Sequence, residues 1–93
     1  MENEESAIGP FIMAGLQGWI SHGVQPGDFL LCILCNDLHG AVRRADDQNI
    51  HLLPDIVNWL RENAPTTCWG SPGAVQRWKL TRRREIREQV KEA

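Results

Sequence analysis

A chain of 93 residues with 42% apolar and 24% charged side chains has the composition of one ordinary folded domain, too short for two and too apolar for general disorder. Its longest apolar run, Phe29–Cys35, is seven residues, where a membrane-crossing helix needs about 20, so no membrane span is expected. The net charge of −2 conceals an asymmetry: residues 77–93 carry seven Lys/Arg against three Glu, a balance of +4, and residues 1–76 carry three Arg against nine Asp/Glu, a balance of −6.

The acidic start, Met1-Glu-Asn-Glu-Glu5, has the wrong charge for a secretory signal. The three cysteines are an odd number, and two of them, Cys32 and Cys35, lie in an apolar stretch. Both features fit a reduced chain in the cytoplasm. The expected organisation is an acidic segment over 1–9, a helical domain over 10–78 and a basic helical extension over 79–93. The fold class is all-α, a small bundle of about four helices.

The first helix is expected from Pro10 to His22. Ile8, Ile12, Leu16, Trp19 and Ile20 recur at helical spacing, proline suits a first turn, and Gly23 suits the residue past the end. A second runs from about Gly27 to Ala45, with Leu30, Leu34, Leu38, Ala41 and Ala45 on one face. A third spans about Asp47 to Asn63. Ile50, Leu53, Ile56, Val57 and Leu60 fill its apolar half, Trp59 sits at the edge, partly exposed or interfacial, and Pro54 marks a kink or a separate first turn. The loop Ala64–Gly70 leads to Ser71-Pro72, a cap followed by proline at the first helical position, which opens a fourth helix. Beyond Val75 and Trp78 its apolar stripe is interrupted by Lys79 and Arg82 before Ile86 and Val90 resume it, so that half is expected to project, fray or pack on a partner.

Five groupings have chemical potential. Cys32-x-x-Cys35 with His39 has zinc-ligand types, but sits in a leucine-rich helix, where two small buried thiols and a surface histidine are the plainer reading; no metal or other cofactor is expected. Trp69-Gly-Ser-Pro-Gly73 places Gly70, Ser71 and Gly73 at a helix amino end. There the free N–H groups and the dipole suit phosphate and Trp69 can stack on a base; alternatively Trp69 anchors the loop and Ser71 simply caps. Arg43, Arg44 and Arg61 end helices, where a positive charge is favourable in itself; they are also candidates to grip phosphates or carboxylates. Asn36 and His39 lie beside Cys32 and Arg43 as a polar strip. Four tryptophans with no tyrosine suit packing, an interface or base stacking. The tail Arg77–Arg87 could bind nucleic acid, although its interleaved glutamates suit a salt-bridged helix.

No enzyme pattern is present: there is no Gly-rich phosphate loop between strand and helix, no His-Glu-x-x-His and no serine elbow. The expectation is a protein that is not an enzyme. The strings Gly15-Leu-Gln-Gly-Trp-Ile-Ser-His-Gly-Val-Gln-Pro-Gly-Asp-Phe-Leu30, Asn36-Asp-Leu, Ala41-Val-Arg-Arg-Ala-Asp46, Ile56-Val, Ala64-Pro65 and Cys68-Trp-Gly-Ser-Pro72 resemble a family of short uncharacterised proteins of bacteriophage and prophage genomes, over roughly residues 15–78. The resemblance implies a non-enzymatic accessory protein acting against host defence. Such a protein would sequester a nucleotide-like immune signal as a homo-oligomer, or bind a host defence or replication protein directly. Nucleic-acid binding through the basic tail is a third expectation.

Overall fold

The computed structural model describes the backbone of residues 8–92 and the side chains of residues 8–88. Apart from Ile8 and Gly9, the acidic segment expected over 1–9 lies outside the described residues, as does the side chain of Val90. The described residues hold five α-helices and no strand: α1 Pro10–His22, α2 Asp28–Leu34, α3 Leu38–Arg44, α4 Leu53–Asn63 and α5 Pro72–Glu92. Single 3-10 turns cover Asn49–Leu52 and Thr66–Cys68. No helix among the described residues is long and apolar enough to cross a membrane.

α1 has the bounds its periodicity predicts. Pro10 opens it, and Gly23 closes it in the left-handed region at φ 69°, donating its N–H to the Trp19 carbonyl at 2.9 Å. Ile12, Met13, Leu16 and Trp19 are buried along its inner face.

The single helix expected over 27–45 is two. The break falls at Cys35–Asp37, where Asn36 takes φ 63°. Its N–H bonds to the Ile33 carbonyl at 3.0 Å and that of Asp37 to the Cys32 carbonyl at 2.8 Å, the paired bonds of a Schellman ending. The Asp37 carboxylate then accepts the Gly40 N–H at 3.0 Å and starts α3. The turn rotates α3 so that Gly40 and Ala41 face inward, while Leu38, expected on the apolar face, is 65% exposed. Gly40 permits the close approach, since a Cβ there would lie 2.9 Å from the Cys32 sulfur and closer still to the Asp37 carboxylate.

The third expected helix resolves as a separate first turn. Asn49–Leu52 winds as 3-10, and α4 begins at Leu53 with Pro54 in its first turn. The buried face of α4 is Ile56, Trp59 and Leu60, with Leu53 and Val57 only partly buried, so Trp59, expected at the edge, is buried.

Two indole N–H bonds tie the elements together. Trp19 Nε1 donates to the Cys68 carbonyl at 3.0 Å, and Trp78 Nε1 donates to the Trp19 carbonyl at 3.0 Å. Trp19, Leu16, Leu34, Ile56, Leu60 and Cys68 form the fully buried centre.

α5 is continuous from Pro72 to Glu92, and Lys79 and Arg82, which interrupt its apolar stripe, still contact the domain. Arg82 lies over the Trp78 ring at 5.0 Å and its stem packs against Gly23; Lys79 Nζ donates to Gln25 Oε1 at 3.0 Å. Both cations thereby sit at the negative carboxyl end of α1, where positive charge is favoured. Arg82 also pairs with Glu85 at 2.6 Å. From Arg83 to Glu88 every side chain is exposed.

Candidate functional site

The helix start predicted at Ser71-Pro72 is present. Trp69 is half-buried against the core, and Gly70 takes φ 109°, with open space on the side a Cβ would occupy. The Gly70 N–H donates to the Leu34 carbonyl at 2.7 Å, fixing the 69–71 bend against the end of α2. Asn36 is only two residues past Leu34. One hydrogen bond thus brings Asn36, Trp69, Gly70, Ser71 and Gly73 into one neighbourhood.

The donor set there is smaller than the sequence suggests. Pro72 has no N–H, Ser71 Oγ accepts the Ala74 N–H at 3.1 Å, and the Val75 N–H bonds to the Ser71 carbonyl at 3.1 Å. With Gly70 engaged by Leu34, the Gly73 N–H is the first-turn donor left over among the described residues. Above it lies a group that the site reading missed. Arg77 Nη1 would stand 3.4 Å from a Cβ on Gly73, so the guanidinium folds back over the first turn of α5. The i, i+4 spacing of Gly73 and Arg77 was the available signal. A cation at a helix amino end is unfavourable by itself, and an anion between guanidinium and helix end would relieve it.

The other expected residues lie on α3 and α4. His39 is exposed on the first turn of α3. Arg43 and Arg44 end that helix, about 10 Å along its axis from its start. Arg44 turns back towards the Gly40 carbonyl at 3.5 Å. Arg61 is exposed on the last turn of α4. Asp37, as the α3 cap, puts a carboxylate beside Asn36, so an anion is better accommodated on the Gly73–Arg77 side.

The cysteines do not converge. The Schellman turn separates Cys32 and Cys35 from His39, and no group of three His, Cys, Asp or Glu among the described residues could hold a metal ion. Burial pushes the Cys68 thiol up, against the opposing effect of hydrogen bonds at that residue. Burial also raises the Cys35 thiol, helped by the nearby Cys32 and Asp37 charges. Such thiols are poor nucleophiles at neutral pH. We expect Cys68, with no exposed surface, to resist an aromatic disulfide reagent until the protein unfolds. The raised folded-state values also give stability a sign with pH. The folded chain keeps its thiol protons where the unfolded chain loses them. The contribution is therefore complete below the ordinary thiol value of about 8.5 and declines as pH rises above it. Melting curves across alkaline pH, compared with a Cys35→Ala/Cys68→Ala variant, measure this slope.

A second recess, of about 750 Å³, lies at the other end of α1. Its walls come from residues 8–15, Pro26–Leu30 and residues 46–52, and are mainly apolar. Among the described residues, Asp28 and Asp46 are its only ionisable lining groups. It therefore suits an apolar or cationic occupant rather than a phosphate.

Comparison with protein-family models, with curated proteins and with solved structures finds no match for this chain.

Proposed function

We propose that this chain is a non-enzymatic binding protein for an anionic, nucleotide-like small molecule, and that it acts as a phage accessory protein sequestering an immune signal in the host cytoplasm. The observation that supports the binding most is Arg77 folded over Gly73 at the amino end of a 21-residue helix, beside the half-buried Trp69. The phosphate lies between the Gly73 N–H and the Arg77 guanidinium, and the base rests on Trp69 across the open side of Gly70. Arg43, Arg44 and Arg61 stand instead at the carboxyl ends of α3 and α4.

Calorimetry on folded variants tests the site. Arg77→Ala removes one charge-assisted contact and should weaken nucleotide binding by about ten- to a hundred-fold, roughly 1.5–3 kcal/mol. Trp69→Ala should also weaken it, whereas Arg43→Ala should change it little. Equal affinity in Arg77→Ala, Trp69→Ala and wild type would place the ligand elsewhere.

A direct inhibitor of a host defence or replication protein is the second reading, favoured by Phe11, which is 90% exposed at the rim of the apolar recess. Stable co-purification with one host protein, without any nucleotide response, is its signature. Nucleic-acid binding through the basic tail would show instead as gel shifts with steep salt dependence.

A further inference from the structure

We propose that the distal part of α5, around residues 80–88, docks into the recess at the amino end of α1 of a second copy, so that the chains associate head to tail. This inference is independent of the nucleotide reading.

The two surfaces are complementary. The recess is apolar, with Phe11 standing 90% exposed at its edge, and among the described residues its only charges are the carboxylates Asp28 and Asp46. The α5 segment is the reverse. Leu80, Arg83 and Arg87 follow at i, i+3 and i+7 on one side of the helix, with Ile86 bordering them and Arg84 close by. Leu80 is 53% exposed, Ile86 is 36% exposed, and the three arginines are exposed and form no ion pair among the described residues. An amphipathic basic helix and an acid-rimmed apolar groove satisfy each other's apolar surface and charge.

The chain's own α5 cannot make this contact. Trp78 meets Trp19 and Arg82 meets Gly23, so α5 runs alongside α1 in the same sense. α1 ends at His22, and residues 83–88 continue beyond that end. The recess surrounds the first turn of α1, about 18 Å back along the axis. Groove and segment therefore lie at opposite ends of one molecule. A contact between different surfaces of identical chains is heterologous and does not stop at two unless a ring closes.

The experiment is analytical ultracentrifugation of the full chain and two variants, with folding checked by circular dichroism. Phe11→Lys/Asp28→Lys spoils the groove and leaves the helix intact; Arg83→Glu/Arg84→Glu/Arg87→Glu spoils the helix and leaves the groove intact. All five positions are exposed, so both variants should fold. At tens of micromolar the wild type is expected above the mass of one chain, with association weakened in high salt. Each variant alone should associate roughly tenfold or more weakly. Mixed, the two variants retain one good groove and one good helix between them, and should form a complex of two chains and no larger. A monomeric wild type, variants with wild-type mass, or a mixture that stays monomeric would each overturn the proposal.

Discussion

Replacing Trp19 by alanine should cost about 3–5 kcal/mol, enough to leave a domain of this size largely unfolded. Trp19 has no exposed surface and is the largest of the fully buried side chains. Its ring occupies the centre of the core, and its N–H donates to the Cys68 carbonyl at the 3-10 turn that precedes α5. Its own carbonyl accepts the Trp78 N–H. Truncation removes core volume and leaves the Cys68 carbonyl without that donor, and the two losses reinforce each other. Trp19→Phe fills much of the space but still forfeits the hydrogen bond, and should cost about 1–2 kcal/mol beyond its lost volume. Urea unfolding of both variants reads the difference directly. A loss under about 1 kcal/mol for Trp19→Ala would mean that the indole does not organise the core.

The second large effect is at Gly23. An alanine there must hold φ 69°, costing about 1–2 kcal/mol. Its Cβ would also come within 2.7 Å of the Arg82 Cβ, the fixed base of a helical side chain rather than its flexible end. Overpacking of this kind adds about 1–3 kcal/mol, so Gly23→Ala should lose roughly 2–5 kcal/mol. Gly27→Ala is the control. Gly27 has φ −64°, and a Cβ there meets nothing within 4 Å. The lost cap preference and the reduced entropy of the unfolded chain should offset to within about 0.5 kcal/mol. Equal losses at both positions would show that α5 does not pack on the end of α1.

These two positions illustrate how much was legible in the sequence. Trp19 and Gly23 follow from the periodicity and terminator of α1, and Ser71-Pro72 announced α5 by cap chemistry. Asn36-Asp37 carried the signal for the break between α2 and α3. A residue tolerant of the left-handed region followed by a capping aspartate is a stop and a start, but the pair sits inside an apolar run whose period continues across it. Reading that run as one helix put Leu38 inside and placed Asn36 and His39 on one strip with Cys32. Trp59 was misplaced because Leu53 and Val57, which pull the apolar centre of the wheel away from it, are only partly buried. The Gly70–Leu34 hydrogen bond depends on how α2 and α5 meet and had no local signature. Arg77 over Gly73 did have one, in its i, i+4 spacing.

The central claim is that this chain binds a nucleotide-like anion and does not turn it over. The most direct measurement is a thermal-shift screen of the wild-type protein against linear and cyclic nucleotides, with each compound recovered afterwards and analysed by chromatography. A ligand held at a hundred times its dissociation constant should contribute about 2.7 kcal/mol, a shift in melting temperature of roughly 10 °C or more, and should be recovered unchanged. No shift with any nucleotide, or recovery of a converted product, would contradict the account.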